Sequence, residues 1–85
     1  MTRGEAIRCT EDYELFECGN INGKEGCYIC YSEENDKYTI YFPECEEWAE
    51  LKKEQFERVS KSGRVPKKNK DFIERVSRLK ITLVT

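Results

Sequence analysis

The chain contains no histidine. The side chain that most readily moves a proton at neutral pH, and that most often ligates a metal, is therefore missing. No apolar run approaches the ~20 residues needed to span a bilayer, and the longest lies around Ile40-Tyr41-Phe42. The first dozen residues include Arg3, Glu5, Arg8, Glu11 and Asp12, which excludes the apolar core of a secretory signal. No Asn-x-Ser/Thr acceptor site, internal repeat or low-complexity segment occurs. These absences predict a cytoplasmic chain with no membrane association.

What is present is charge, unevenly placed. Residues 1–57 hold fifteen acids and six bases, and residues 58–85 hold nine bases and two acids. The near-neutral total of −2 thus conceals halves of about −9 and +7. Such asymmetry points to an interaction surface. A chain of 85 residues makes one domain with a small core, since a fold of this size buries only about 60–65% of its unfolded surface. Its 38% hydrophobic content suffices for that core and separates it from disordered chains. The five cysteines, Cys9, Cys18, Cys27, Cys30 and Cys45, cannot all pair within one chain. In a reducing cytosol they are expected as thiols, with hyperthermophiles the exception.

Periodicity divides the chain at residue 42. Residues 6–10, 13–18, 26–32 and 37–42 alternate and are rich in β-formers. Asn22-Gly23 marks one turn, and Glu33-Glu34-Asn35-Asp36 marks another. Pro43 and the acids after it suit a helix start. Cys45, Trp48, Ala49, Phe56 and Val59 fall on one face at helical spacing, with Leu51 beside them, so a helix is expected from Pro43 to the stop at Gly63. Residues 62–70 read as a loop. Asp71 with Glu74 suggests a helix start, Phe72, Ile73, Val76 and Leu79 form its apolar stripe, and residues 81–84 read as a short C-terminal strand. The expected fold is an α+β single domain. It has a three- to four-stranded antiparallel β-meander in an acidic region, residues 1–42. A helical region, residues 43–80, follows, with two helices packed on one face and basic character from 58.

Cys27-Tyr-Ile-Cys30 has the spacing of half a zinc site. In a regular strand, however, positions i and i+3 point to opposite faces, and no second such pair follows. No metal or cofactor is expected, although a zinc-stabilised mini-domain that recruits the other cysteines is a further alternative. Gly19–Lys24 resembles a phosphate loop but precedes a strand rather than a helix, and reads as a hairpin turn. No serine has a context that suggests activation, so no catalytic residue is assigned and the chain is read as a non-enzyme.

Two binding surfaces remain. Glu33, Glu34 and Asp36 at a hairpin tip, with Glu44, Glu46 and Glu47, form an acidic set that suits a basic groove. Tyr28 and Tyr41, expected as a pair on the open sheet face, supply aromatic anchors. The leading expectation is a module, an inhibitor or adaptor, that binds another protein, with a nucleic-acid-handling protein as the partner such a surface fits. The alternative is nucleic-acid binding through Lys61, Arg64, Lys67, Lys68, Lys70, Arg75 and Arg78. Oligomeric state is not legible in the sequence.

Overall fold

The computed structural model describes residues 1–60 and 62–84, with side chains described through residue 75. The elements in chain order are β1 (Ala6–Cys9), β2 (Glu14–Leu15), β3 (Gly19–Asn20), β4 (Glu25–Ser32), β5 (Lys37–Phe42) and β6 (Glu47–Leu51). A 3-10 turn at Lys53–Gln55, β7 (Phe56–Arg58) and α1 (Lys67–Val84) follow. Five strands form one antiparallel sheet in the order β6-β5-β4-β1-β7, while β2 and β3 pair separately.

The sheet is strongly bent. Tyr38 on β5 and Phe56 on β7 are three strand positions apart, about 14 Å in a flat sheet, yet their ring centroids are 5.2 Å apart. The short link between β6 and β7 requires this curl, because those strands are the two edges. The inner face carries Ile7, Cys9, Tyr28, Ile40, Phe42, Ala49, Leu51 and Phe56, joined by Ile21 from the loop after β1. Room for the curl comes from Gly26 on β4. A Cβ there would meet Ile40 Cγ2 at 2.5 Å and Phe42 at 3.0 Å. On the outer face Cys27, Ile29 and Tyr41 are covered by Phe72 and Ile73 of α1. Across β1, Arg8 stands opposite both Glu25 and Glu57 and bridges each at 3.3 Å.

At the N-terminal end of β1, Glu5 is fully buried. Its carboxylate accepts from the Thr2 amide, from Arg58 Nε at 2.5 Å and from Arg58 Nη2 at 3.0 Å. Burial pushes the Glu5 carboxyl up, but the Arg58 and Thr2 hydrogen bonds and the Arg58 charge outweigh it and leave it below its ordinary value of 4.5. Next to it, the Gly4 amide donates to Tyr28 O at 2.7 Å, and Gly4 O accepts from the buried Asn69 side chain at 2.8 Å.

The expected α+β meander with two helices is corrected to a mainly β domain with one α-helix among the described residues. The helix expected over 43–62 does not form. Residues 43–46 are a tight turn with Glu46 at φ 55°, and strands and a 3-10 turn follow. The segment from 47 to 51 also alternates with a period of two, Ala49 and Leu51 inward against Trp48 and Glu50 outward. Pairing with β5 satisfies that reading. Of the supposed helical stripe, Phe56 is buried while Trp48 and Val59 are exposed. The helix start moves from Asp71 to Lys67, where Pro66 O receives the first amides. Residues 81–84 continue that helix rather than form a strand, since extending an existing helix adds a hydrogen bond without a new nucleation cost. The expected strand 13–18 shrinks to Glu14–Leu15. Strands β1, β4 and β5 and the turns at 22–23 and 33–36 lie where the sequence places them. No described helix is long and apolar enough to cross a membrane.

Two outcomes follow from this packing. Gly26→Ala should lower stability by about 1–3 kcal/mol, as overpacking does, seen as a lower denaturant midpoint. An unchanged midpoint would mean the inner face has slack. Because Glu5 is more acidic folded than unfolded, its contribution is complete above its unfolded pKa and is lost as pH falls through the lower folded value. Glu5→Gln should therefore flatten the stability-versus-pH curve below about pH 5, measured by denaturation at successive pH values.

Candidate functional site

The segment between β1 and β4, residues 10–24, is long but ordered by its own contacts. Ile21 is fully buried and plugs the loop into the core. Its amide donates to Tyr13 O at 2.9 Å, and the Gly23 amide donates to Cys9 O at 2.8 Å. Asn20 Oδ1 accepts from the Tyr13 and Asn22 amides, while Asn20 and Asn22 side chains donate to Asp12 at 3.1 and 3.0 Å. The Asn22 and Asn20 hydrogen bonds hold the Asp12 carboxyl below its ordinary range. A disulfide between Cys18 and Cys45 ties this loop to the turn 43–46 between β5 and β6.

These two segments form one end of the domain. Glu11, Asp12, Glu14 and Glu17 are exposed on the loop, and Glu44 and Glu46 on the turn. The single basic residue of either segment is Lys24, which bridges Glu44 at 3.3 Å. Phe16 lies between Glu14 and Glu17 at the tip of the β2–β3 turn and is 94% exposed. Burying a phenylalanine is worth about 1.5–3 kcal/mol, and here that gain is not taken within the molecule.

The acidic set expected from the sequence is divided. Glu33, Glu34 and Asp36 occupy the turn at the other end of β5, about 20 Å away over six strand residues. Asp36 there accepts the Tyr31 hydroxyl at 2.7 Å, which pushes the Tyr31 phenol up to about 12. Glu44 and Glu46 belong to the loop end and are exposed, whereas Glu47 takes a core-facing position opposite Phe42. The expected tyrosine pair does not exist. Tyr28 is directly opposite Ile40 and faces the inner core, while Tyr41 is opposite Cys27 and lies stacked on Phe72 under the helix at 4.0 Å. Both are less than a tenth exposed, and burial pushes both phenols up. Phe16, missed by the sequence reading, is the most exposed aromatic among the described residues, ahead of Trp48 and Tyr31. Its flanking glutamates and the turn residues around it were the available signal.

Of the basic set, Arg64, Lys67, Lys68, Lys70 and Arg75 are exposed. Lys68 and Arg75 line a cleft with Tyr41, Phe72, Pro43 and Glu46. Lys61 and the Arg78 side chain lie outside the described residues. Cys27 and Cys30 differ from the regular-strand expectation. A bulge between Tyr28 and Cys30 brings both to the outer face against the helix. Burial raises the Cys27 thiol to about 11, so it is a neutral, packed group at physiological pH. Among the described residues one set, Cys18, Cys45 and Glu47, brings three metal-ligand atoms within 4.8 Å of one another.

No family model matches the chain, and comparisons with curated proteins and with solved structures give no match.

The disulfide closes a separation of 27 residues, for which loop-closure entropy predicts about 3–4 kcal/mol. Replacing Cys18 and Cys45 together by Ser should lower stability by about 2–4 kcal/mol, measured by denaturant unfolding. A loss below about 0.5 kcal/mol would show that Ile21 and the asparagine network hold the loop alone.

Proposed function

We propose that this chain is a non-enzymatic protein-binding module that engages its partner through the disulfide-braced end formed by residues 10–24 and 43–46. Phe16 carries this reading. It is a nearly fully exposed aromatic on a loop whose base is held by Ile21 and the Cys18–Cys45 bond. A rigid loop loses little entropy on binding, and an aromatic that leaves water on association is a natural anchor. Carboxylates on both sides call for a partner socket that is apolar at its floor and basic at its rim. A groove built for nucleic acid has such a rim, so an inhibitor or adaptor of a nucleic-acid-handling protein fits best. Glu33, Glu34 and Asp36, at the far end, fall outside this surface.

A second reading rests on α1. Lys67, Lys68, Lys70 and Arg75 are exposed along its first turns, beside the half-exposed Trp48 and its neighbour Phe72. Cations beside an aromatic favour nucleic acid. The domain's overall acidity, with a pI near 5.3, favours the protein-binding reading.

The disulfide bears on location. Such bonds persist in oxidising compartments and in the cytosol of hyperthermophiles. The formed bond thus favours an oxidising compartment or a hyperthermophile's cytosol, and in an ordinary cytosol the two cysteines would be thiols.

The experiment is capture from host lysate with and without nuclease, then binding kinetics on what is captured. Phe16→Ala should speed dissociation roughly thirtyfold, the effect of an anchor worth about 2 kcal/mol. Glu14→Lys with Glu17→Lys should slow association and reduce its salt dependence. Unchanged kinetics in these variants, with binding lost on neutralising Lys67, Lys68 and Lys70, would transfer the function to the helix.

A further inference from the structure

Two carboxylates occupy core-facing ends of the sheet, and only one is compensated. Glu5 has Arg58 and the Thr2 amide. Glu47 stands opposite Phe42, in line with inward-facing Ala49 and Leu51. Its Oε2 is buried and accepts no hydrogen bond from any described residue. A carboxylate oxygen so placed is costly unless a proton donor or a cation meets it. What lies beside it is the sulfur pair of Cys18 and Cys45, with all three ligand atoms within 4.8 Å of one another. A cleft of about 160 Å³ lined by Glu17, Cys18, Lys24, Glu44 and Cys45 opens these sulfurs to water.

We infer that, once the Cys18–Cys45 bond is reduced, Cys18, Cys45 and Glu47 form a site for one zinc ion, with a water from the adjacent cleft as fourth ligand. This goes beyond the protein-binding reading and does not rest on it. Zinc takes thiolates at about 2.3 Å and carboxylates at about 2.0–2.2 Å in a tetrahedron, so two bound sulfurs lie about 3.8 Å apart. The Cα atoms of Cys18 and Cys45 are 5.3 Å apart, so side-chain rotation suffices to open the sulfurs to that spacing. Two soft thiolates select zinc over calcium or magnesium, which prefer all-oxygen shells. Three ligand charges exceed the two on the ion, and the Lys24 ammonium lines the same cleft.

Disulfide and metal are alternatives, because a disulfide sulfur carries no thiolate charge. Reduction by a dithiol delivers two electrons and two protons. The sulfur–sulfur bond breaks, each cysteine becomes a thiol, and the dithiol closes to its own disulfide. Zinc then displaces both thiol protons to solvent.

The test uses the full chain, oxidised or reduced with a phosphine, and titrated with zinc or with cobalt as a spectroscopic stand-in. Reduced protein should take up one zinc per chain, and oxidised protein none. Cobalt should show thiolate charge-transfer absorption with tetrahedral ligand-field bands. Cys45→Ser should abolish binding, and Cys27→Ser with Cys30→Ser should leave it intact. Glu47→Gln should weaken affinity at least about tenfold, the lower end of the cost of losing even an outer-shell partner. If reduction alone unfolds the chain, zinc should restore its circular dichroism. Failure of the reduced chain to bind or refold with zinc, binding that survives Cys45→Ser, or wild-type affinity in Glu47→Gln would each overturn the site.

Discussion

A carboxylate with no exposure, Glu5, is the constraint on which the rest of the domain depends. It tolerates burial only because the Arg58 guanidinium and the Thr2 amide reach it. Removing Arg58 would leave a buried charge uncompensated. Arg58 lies on β7, so the pair holds that strand against β1. The connection from β6 to β7 is short, and β6 is the opposite edge of the sheet. Holding β7 in place therefore curls the whole sheet, which brings Phe56 onto Tyr38 and closes the inner core. The same short segment sends backbone hydrogen bonds to β4, while Asn69 ties it to α1. One charged pair thus sits where the N-terminal turn, β4, β7 and the helix meet.

The curl separates two ends with different chemistry. At the N-terminal end of β1, the buried Glu5 is matched by Arg58 and the Thr2 amide. At the other end a long loop and a tight turn carry exposed carboxylates around Phe16, braced by Ile21 and by the Cys18–Cys45 bond. Ile21 and the disulfide anchor this surface to the core, so it holds its shape instead of fraying. Glu47 belongs to this end as well. Its position on the core face is set by the alternation of β6, but its surroundings are set by the loop and the turn.

How much of this was legible depended on whether the deciding contact was local. Residues 26–32 and 37–42 combine β-branched and aromatic residues with alternation, and the polar turn between them leaves no other pairing, so that hairpin is readable directly. Residues 43–59 fit two periods at once. Helical spacing gathers Cys45, Trp48, Ala49, Phe56 and Val59, while strand spacing gathers Ala49 with Leu51. The choice fell to the edge of β5, whose unpaired backbone groups needed a partner. Cys27 and Cys30 share a face because of one bulge, which no residue spacing announces. Tyr28 and Tyr41 were misplaced for a related reason: the register sets Tyr28 against Ile40, so a tyrosine at either site is a core residue.

By itself the sequence determined the charge division, the absence of histidine, the central hairpin and its turns, and the supply of cysteines. These follow from composition and from interactions between near neighbours, which operate before any fold exists. Only the tertiary structure decided that 47–51 and 56–58 would be strands, that Cys18 would meet Cys45, and that Phe16 would stay in water while Tyr28 and Tyr41 left it. Each of those outcomes is a competition for partners distant in the chain. Such a competition is settled by which pairing satisfies buried backbone and charge together, and local propensity carries no record of it.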